Sequence, residues 1–283
     1  LLANGCICCS MRDDLLGTLE DLFWQRLQRR IPRFARVVIE TTGLADPLPL
    51  LVAFEAHALV AERYAIETVI CTVDASVVQA SWSAQPEALA QAALADVLLL
   101  TKTDRADAAA VLALGAQLAR VNPAATQYRV AHGEVAPEHL FAGTRAAGGR
   151  DALAQRVIDA HHSGVHSGGG SALMTPRLAP AHHQRVHTFV ARLCAPVGEA
   201  VLRMALMKVL NAYSERVLRI KGIVEIVDAG HRVVQVAGGH LYALQPVVAS
   251  PRAPADGALV FIVQGADPEE VRRVFDDAMK VDA

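Results

Sequence analysis

The sequence lacks the features that would tie it to a polyanion or a bilayer. Its 27 basic residues are matched by 29 acidic ones, a formal net charge of −2, so no basic excess exists to neutralise a nucleic acid backbone. No apolar run approaches the roughly 18–20 residues that a membrane helix needs. Cysteine is sparse, five in 283 residues, well below the density of a disulfide scaffold. Residue 1 is Leu rather than Met, and no charged segment followed by an apolar stretch opens the chain. The expectation is a cytoplasmic protein without a secretory signal, whose first part is absent from this sequence. What is abundant is apolar: 53% of residues are hydrophobic and 20% charged. That composition buries a sizeable core and excludes a disordered chain.

Apolar periodicity divides the chain. Met11, Leu15, Leu16, Leu19, Leu22, Phe23 and Leu27 recur at helical spacing, with acidic residues early and arginines late, as the helix dipole favours. Val37-Val38-Ile39 reads as a short buried parallel strand, and strands are also predicted over 68–74, 95–101 and 126–130. Helical stretches are predicted over 48–63, 86–94 and 108–121. Strands alternating with helices predict an α/β domain over 1–141, a mostly parallel sheet with helices on both faces. Gly and His crowd residues 142–185, which read as a linker with a short helix near 151–160. A smaller α+β domain is expected over 186–283. Its strands fall at 186–193, 217–227, 233–244 and 258–263, its helices at 197–213 and 268–281, the last capped by Asp267.

Asn4-Gly5-Cys6-Ile7-Cys8-Cys9 sets three thiols before the first helix. Thiolates are soft ligands for Zn²⁺ or Cu(I), and a helix N-terminus lowers thiol pKa. The spacing alone is equally compatible with buried or redox-active cysteines. Cys71 and Cys194 are isolated in apolar strands and are expected in the core.

Two further segments follow expected strands. In Ile39-Glu40-Thr41-Thr42-Gly43, Glu40 stands at a strand's carboxyl end, where open α/β sheets bind ligands. Its carboxylate suits a Mg²⁺-bound water, and the Gly43 N–H can approach a terminal phosphate. An ordinary strand-ending turn fits the same residues. In Thr101-Lys102-Thr103-Asp104, the Asp104 carboxylate can accept from guanine N1–H and the 2-amino group, a donor pair that adenine lacks. The Lys102 stem can pack across the base or ribose.

Taken in order, Asn-Gly-Cys-Ile-Cys-Cys, Ile-Glu-Thr-Thr-Gly-Leu-Ala-Asp-Pro, a Val-Asp strand and Thr-Lys-Thr-Asp closely resemble the CobW family of metal-linked P-loop GTPases. The His-rich linker and the Leu218-Arg219-Ile220-Lys221-Gly222 strand extend the resemblance over nearly the whole chain. It implies a P-loop NTPase-like sheet and a metallochaperone that uses GTP and Mg²⁺. Cys6, Cys8 and Cys9 would be the ligands for Zn²⁺, with Co²⁺ possible. Glu40 and Gly43 match the family's Glu-x-x-Gly, and Lys102 and Asp104 its Asn-Lys-x-Asp, with Thr101 in place of Asn. The family's phosphate loop, G-x-x-x-x-G-K-[ST], has no counterpart in these 283 residues, so these residues alone are not expected to hydrolyse GTP. The first strand of the sheet is expected to be absent with it.

His161, His162, His166, His182, His183 and His187 lie in or beside the linker. His161, His162 and His166 are secondary metal candidates; weak chelation by a flexible segment is the simpler expectation. His57, His132, His139, His231 and His240 are scattered and expected to be structural or exposed. The expected partners are a guanine nucleotide, a metal ion and an unnamed client metalloprotein, with neither nucleic acid nor membrane. Rival readings are a cobalt-handling accessory factor for cobalamin assembly and a metal-binding protein without turnover.

Overall fold

The structure, a computed structural model, describes residues 10–43, 45, 47–77, 86–141, 186–237, 239–247 and 257–280. The chain divides into two compact units, Leu1–Ile66 and Glu67–Ala283. The expected cysteine site, the linker 142–185 and its short helix lie outside the described residues.

The first unit holds α1 (Ser10–Leu27), α2 (Leu48–Ala56) and α3 (Ala58–Arg63). Leu16 and Leu19 of α1 meet Phe54 of α2 and Val60 of α3 in a small core. Tyr64 ties the end of α3 to α1, its hydroxyl donating to Leu19 O at 2.8 Å. The single helix expected over 48–63 is broken at His57, whose backbone is extended (φ −86°, ψ 104°). The His57 ring compensates: its Nδ1 accepts the Val60 N–H at 3.4 Å and caps α3.

The expected strand at Val37–Ile39 is a correction. The segment belongs to no strand, and its side chains are exposed, Val38 by 78%. β-branched residues favour extended backbone, but burial needs sheet neighbours on either side. Among the described residues none pairs with this segment.

In the second unit a parallel sheet, order β1-β2-β3, is formed by β1 (Ile70–Asp74), β2 (Val97–Thr101) and β3 (Thr126–Arg129). α4 (Pro86–Leu94) precedes β2, and α5 (Ala108–Val121) links it to β3. Asp107 caps α5, accepting from Ala109 N at 3.0 Å and Ala110 N at 3.2 Å. Leu98, Leu100, Val111, Leu114 and Leu118 fill the core between β2 and α5. β2 is buried on both faces until Thr101, as its continuous apolar run predicts. β1 is not: Cys71 and Val73 are buried while Ile70 and Thr72 are exposed, so the expected double cover is incomplete there. Burial pushes the Cys71 thiol up to about 11, consistent with an inert core residue.

α6 (Pro137–Phe141) follows β3, and then the smaller domain is antiparallel. Its strands β4 (Val186–Leu193), β5 (Val217–Ile226), β6 (Gly230–Ala237), β7 (His240–Leu241) and β9 (Gly257–Gln264) run in the order β4-β9-β5-β6-β7, with β8 (Gln245–Pro246) paired to β6. Helices α7 (Glu199–Tyr213) and α8 (Pro268–Met279) supply Leu202, Leu206, Val209, Val271 and Phe275 to the core. There Phe261 stacks on Phe189 and meets Phe275 edge-on. Asp267 caps α8 as expected, accepting from Glu269 N at 3.0 Å. The single strand expected over 233–244 is split into β6 and β7, with Gly239 at φ +74° in the turn between them. Cys194, expected in the core, is exposed; it falls one residue beyond the end of β4, where alternation no longer dictates burial.

Three side chains of the antiparallel domain reach the parallel layer. The Thr188 hydroxyl donates to Val121 O at 2.8 Å. Arg219 donates to Leu94 O and, at 2.5 Å, to Asp96 Oδ1. Lys221 donates to the same Asp96 oxygen at 2.5 Å. All four contacts lie at the C-terminal ends of α4 and α5 or just before β2. The carboxyl ends of the parallel strands lie at the opposite end of the sheet, where open α/β sheets bind ligands.

Candidate functional site

β1 and β2 are paired in parallel with Asp74 opposite Thr101. Both strands therefore end at one level, and the residues that follow share the carboxyl edge of the sheet. Thr101 does not project its hydroxyl outward but donates it back to Val73 O at 3.3 Å. Lys102 then turns the chain in a left-handed conformation (φ 54°, ψ 34°) that non-glycine residues seldom adopt. A short 3-10 turn, Thr103–Arg105, starts there and carries Asp104. Thr103 fastens the turn to β3, its N–H and hydroxyl both donating to Val130 O.

The Asp104 carboxylate is 21% exposed. Arg105 Nε stands 3.8 Å from it and His132 Nδ1 3.7 Å. In the sequence His132 reads as one of several scattered histidines. It lies in a turn directly after β3, with positive φ at both His132 and Gly133. A His-Gly pair closing a predicted strand was the available signal, since such turns sit at the ligand edge of a parallel sheet.

Asp74, in the sequence only the end of a Val-Asp strand, joins the same edge. Its Oδ1 accepts the Ser76 N–H at 2.9 Å and the Ser76 hydroxyl at 2.6 Å. Its Oδ2 accepts from Lys102 Nζ at 2.5 Å. The Lys102 ammonium, and then the Ser76 hydroxyl, hold the Asp74 carboxyl below its usual range. The structure thus brings Thr101, Lys102, Asp104, Asp74 and His132 to one edge.

Glu40 and Gly43 belong to the first unit. Both are exposed, and Glu40 lies outside any strand rather than at the end of one. A Cβ built on Gly43 would meet nothing within 4 Å, so the fold itself does not demand glycine there. Cys6, Cys8, Cys9, His161, His162 and His166 lie outside the described residues. Among the described residues no group of three or more His, Cys, Asp or Glu side chains could hold a metal ion, and no helix is long and apolar enough to cross a membrane.

A parallel sheet with flanking helices and an appended antiparallel domain is the layout of a P-loop NTPase-like protein with a second domain. The comparisons specify it further. Residues 1–129 match the CobW/HypB/UreG nucleotide-binding domain, and residues 180–279 the cobalamin synthesis protein CobW C-terminal domain. The zinc chaperone YjiA of Escherichia coli is 41% identical over 140 residues, covering 50% of this chain and 43% of that protein. The zinc chaperone CobW of Pseudomonas aeruginosa is 30% identical over 148 residues, covering 44% of this chain and 38% of that one. The crystal structure of the Zn(II)-bound YjiA GTPase superposes with a TM-score of 0.66 at 26% identity, over 93% of this chain and 76% of that chain. Residues 1–129 and 180–279 therefore carry two CobW-type domains, and the chain is homologous to these zinc chaperones. The matches span less than half the length of the curated relatives.

Proposed function

We propose that this chain is part of a GTP-binding metallochaperone that couples GTP binding and hydrolysis to the delivery of zinc to a client metalloprotein. The observation that carries the reading is Asp104, a carboxylate left partly open by a turn anchored to two strand ends at the ligand edge of a nucleotide-binding sheet. A carboxylate suits the N1–H and 2-amino donors of guanine, and the adjacent Lys102 stem suits the face of the base. Thr101 spends its hydroxyl inside the sheet, so base choice rests on Asp104.

Cys6, Cys8 and Cys9 are assigned as ligands for the zinc cargo, on the chemistry of three thiols ahead of a helix. Glu40 would orient a Mg²⁺-bound water and Gly43 would approach the terminal phosphate. The cysteine motif precedes α1 in sequence and Glu40 and Gly43 follow it, so occupancy by metal would bias the nucleotide segments and hydrolysis would release the cargo.

The test is a paired measurement of zinc and GDP binding on the intact protein. Replacing Cys6, Cys8 and Cys9 together by Ser is expected to remove stoichiometric zinc in a chelator competition and to leave GDP binding in place. Unchanged zinc content would contradict the ligand assignment. Running the same competition with cobalt separates a zinc carrier from a cobalt-handling factor.

A further inference from the structure

We infer that Asp74 is a positioning residue for the nucleotide site: it holds the Lys102 side chain in place as the platform for the guanine base. This deepens the proposed guanine-nucleotide reading and rests on it. Three observations carry it.

The first is register. Asp74 and Thr101 are direct partners in the parallel pair, and Ala75 N–H donates to Thr101 O at 2.9 Å. The last residue of β1 is therefore locked beside the first residue of the base-reading segment. The second is the turn that aims the carboxylate. Ser76 binds Asp74 Oδ1 twice, through N–H at 2.9 Å and hydroxyl at 2.6 Å. Those two bonds fix the carboxylate plane and leave Oδ2 for Lys102 Nζ at 2.5 Å. The third is the backbone of Lys102 itself, held left-handed at φ 54°. A lysine in that conformation costs free energy, and such positions persist where the surroundings dictate them.

An ordinary exposed lysine would lose rotamer entropy each time it packed across a ligand. Lys102 is half-exposed, 52%, yet its ammonium is already tethered. The four-carbon stem is thereby spanned between a fixed Cα and a fixed carboxylate, along the edge where Asp104 lies. The ion pair with Asp74 also compensates the ammonium's charge, while the stem offers an apolar face. Asp74 touches neither base nor phosphate in this scheme; it acts through Lys102.

The experiment is a double-mutant cycle on the intact protein, with GTP, GDP and inosine triphosphate titrated against the parent, Asp74→Asn, Lys102→Met and the double variant. Asp74→Asn is expected to weaken GTP and GDP alike, on the order of fivefold, the upper range for an exposed ion pair. The ratio of GTP to inosine triphosphate affinity should stay at the parent value, because that ratio reports on Asp104. In the Lys102→Met background Asp74→Asn should change nothing further. An equal loss in both backgrounds, or no loss with Lys102 present, overturns the inference while leaving the guanine reading intact. A parent that binds none of the three nucleotides overturns the guanine reading and this inference with it. Ser76→Ala keeps the carboxylate and removes one of its two anchors. If Asp74→Asn does not fold, a loss in Ser76→Ala that vanishes with Lys102→Met supports the inference, and a loss independent of Lys102 overturns it.

Discussion

Arg219 and Asp96, 123 residues apart in sequence, share a buried ion pair at 2.5 Å. Arg219 is 2% exposed and is among the largest fully buried side chains described. Lys221 reaches the same carboxylate oxygen. Asp96 also accepts the Val69 N–H at 3.0 Å through its other oxygen, so one aspartate ties β5 of the antiparallel domain to the starts of β1 and β2. Arg219 also donates to Leu94 O at the C-terminal end of α4, where the helix dipole favours positive charge. Removing Asp96 leaves two buried cations with less compensation, a change that typically costs about 3–5 kcal/mol. Asp96→Ala is accordingly expected to lower the urea midpoint strongly, and Arg219→Met less so, because the latter leaves Lys221 to answer the carboxylate.

The same cluster sets an acid limb. Burial pushes the Asp96 carboxyl up, but Arg219 and Lys221 together outweigh it and hold the group well below the usual carboxylate range. A group with a depressed folded pKa contributes its full stability above the ordinary value, about 3.9, and loses it as pH falls toward the folded value. Between about pH 5 and pH 2 the parent should lose stability with a steeper slope than Asp96→Asn, measured by urea melts at each pH. Parallel slopes would remove Asp96 from the account of acid unfolding.

Asn122 secures the other side of that junction. Fully buried at the end of α5, its Nδ2 donates to Ala92 O, Ala93 O and Ala95 O at 2.8–3.0 Å. Those carbonyls at the end of α4 have no partners from the next turn of helix. Asn122→Ala should cost about 1–3 kcal/mol through the orphaned acceptors. Asn122→Asp should be worse at neutral pH, since it turns a carboxylate toward three carbonyl oxygens. An Asp variant as stable as the Ala variant would contradict that geometry.

Much of the fold was legible because its rules are local. The apolar run at 97–100 dictated a buried strand, and helices at 86–94 and 108–121 follow from their periodicity. What failed was non-local. Val37–Ile39 reads as a strand from its residue types, but pairing depends on neighbours that a three-residue run does not specify. The pairings of Asn122, Asp96 and Arg219 follow from no local pattern, because their partners lie far away in sequence. At the site, Asp104 and Lys102 were legible as a motif with known chemistry. Asp74 reads only as the end of a Val-Asp strand and His132 as a scattered histidine, since strand register alone brings them to the same edge.

Gly222 in β5 tests a different constraint. Its φ is not in the left-handed region, yet a Cβ there would stand 1.9 Å from Ala258 O of β9. That is a backbone atom in a paired strand, which cannot swing aside. Gly222→Ala should force β5 and β9 apart and cost several kcal/mol, on the order of other severe overpacking. Thermal unfolding checks it; a change under 1 kcal/mol would mean that the two strands shift freely.

Gly43 predicts the opposite outcome. Nothing lies within 4 Å of a Cβ at that position, so Gly43→Ala should change stability by less than about 0.5 kcal/mol. If Gly43 N–H approaches a terminal phosphate, the added methyl should impair GTP hydrolysis in the intact protein while GDP binding survives. Normal turnover in a normally folded Gly43→Ala protein would remove Gly43 from the site.

Asp104 carries the base assignment and admits a reversal of sign. The carboxylate is an acceptor only, and guanine offers it two donors, N1–H and the 2-amino group. Inosine lacks the amino group, so inosine triphosphate should bind the parent more weakly than GTP. Asp104→Asn turns one acceptor into a donor, which then faces guanine's own donors. The loss in GTP affinity should reach about 1.5–3 kcal/mol, the range for a hydrogen bond to a charged group. Xanthine carries a carbonyl where guanine carries its 2-amino group, so the Asn amide can donate to it. The variant should therefore gain affinity for xanthosine triphosphate as it loses GTP. The comparison uses one protein and two nucleotides in each titration, so a general loosening of the fold weakens both and cannot mimic the crossover. Parallel losses for GTP and xanthosine triphosphate would show that Asp104 supports the loop rather than reading the base.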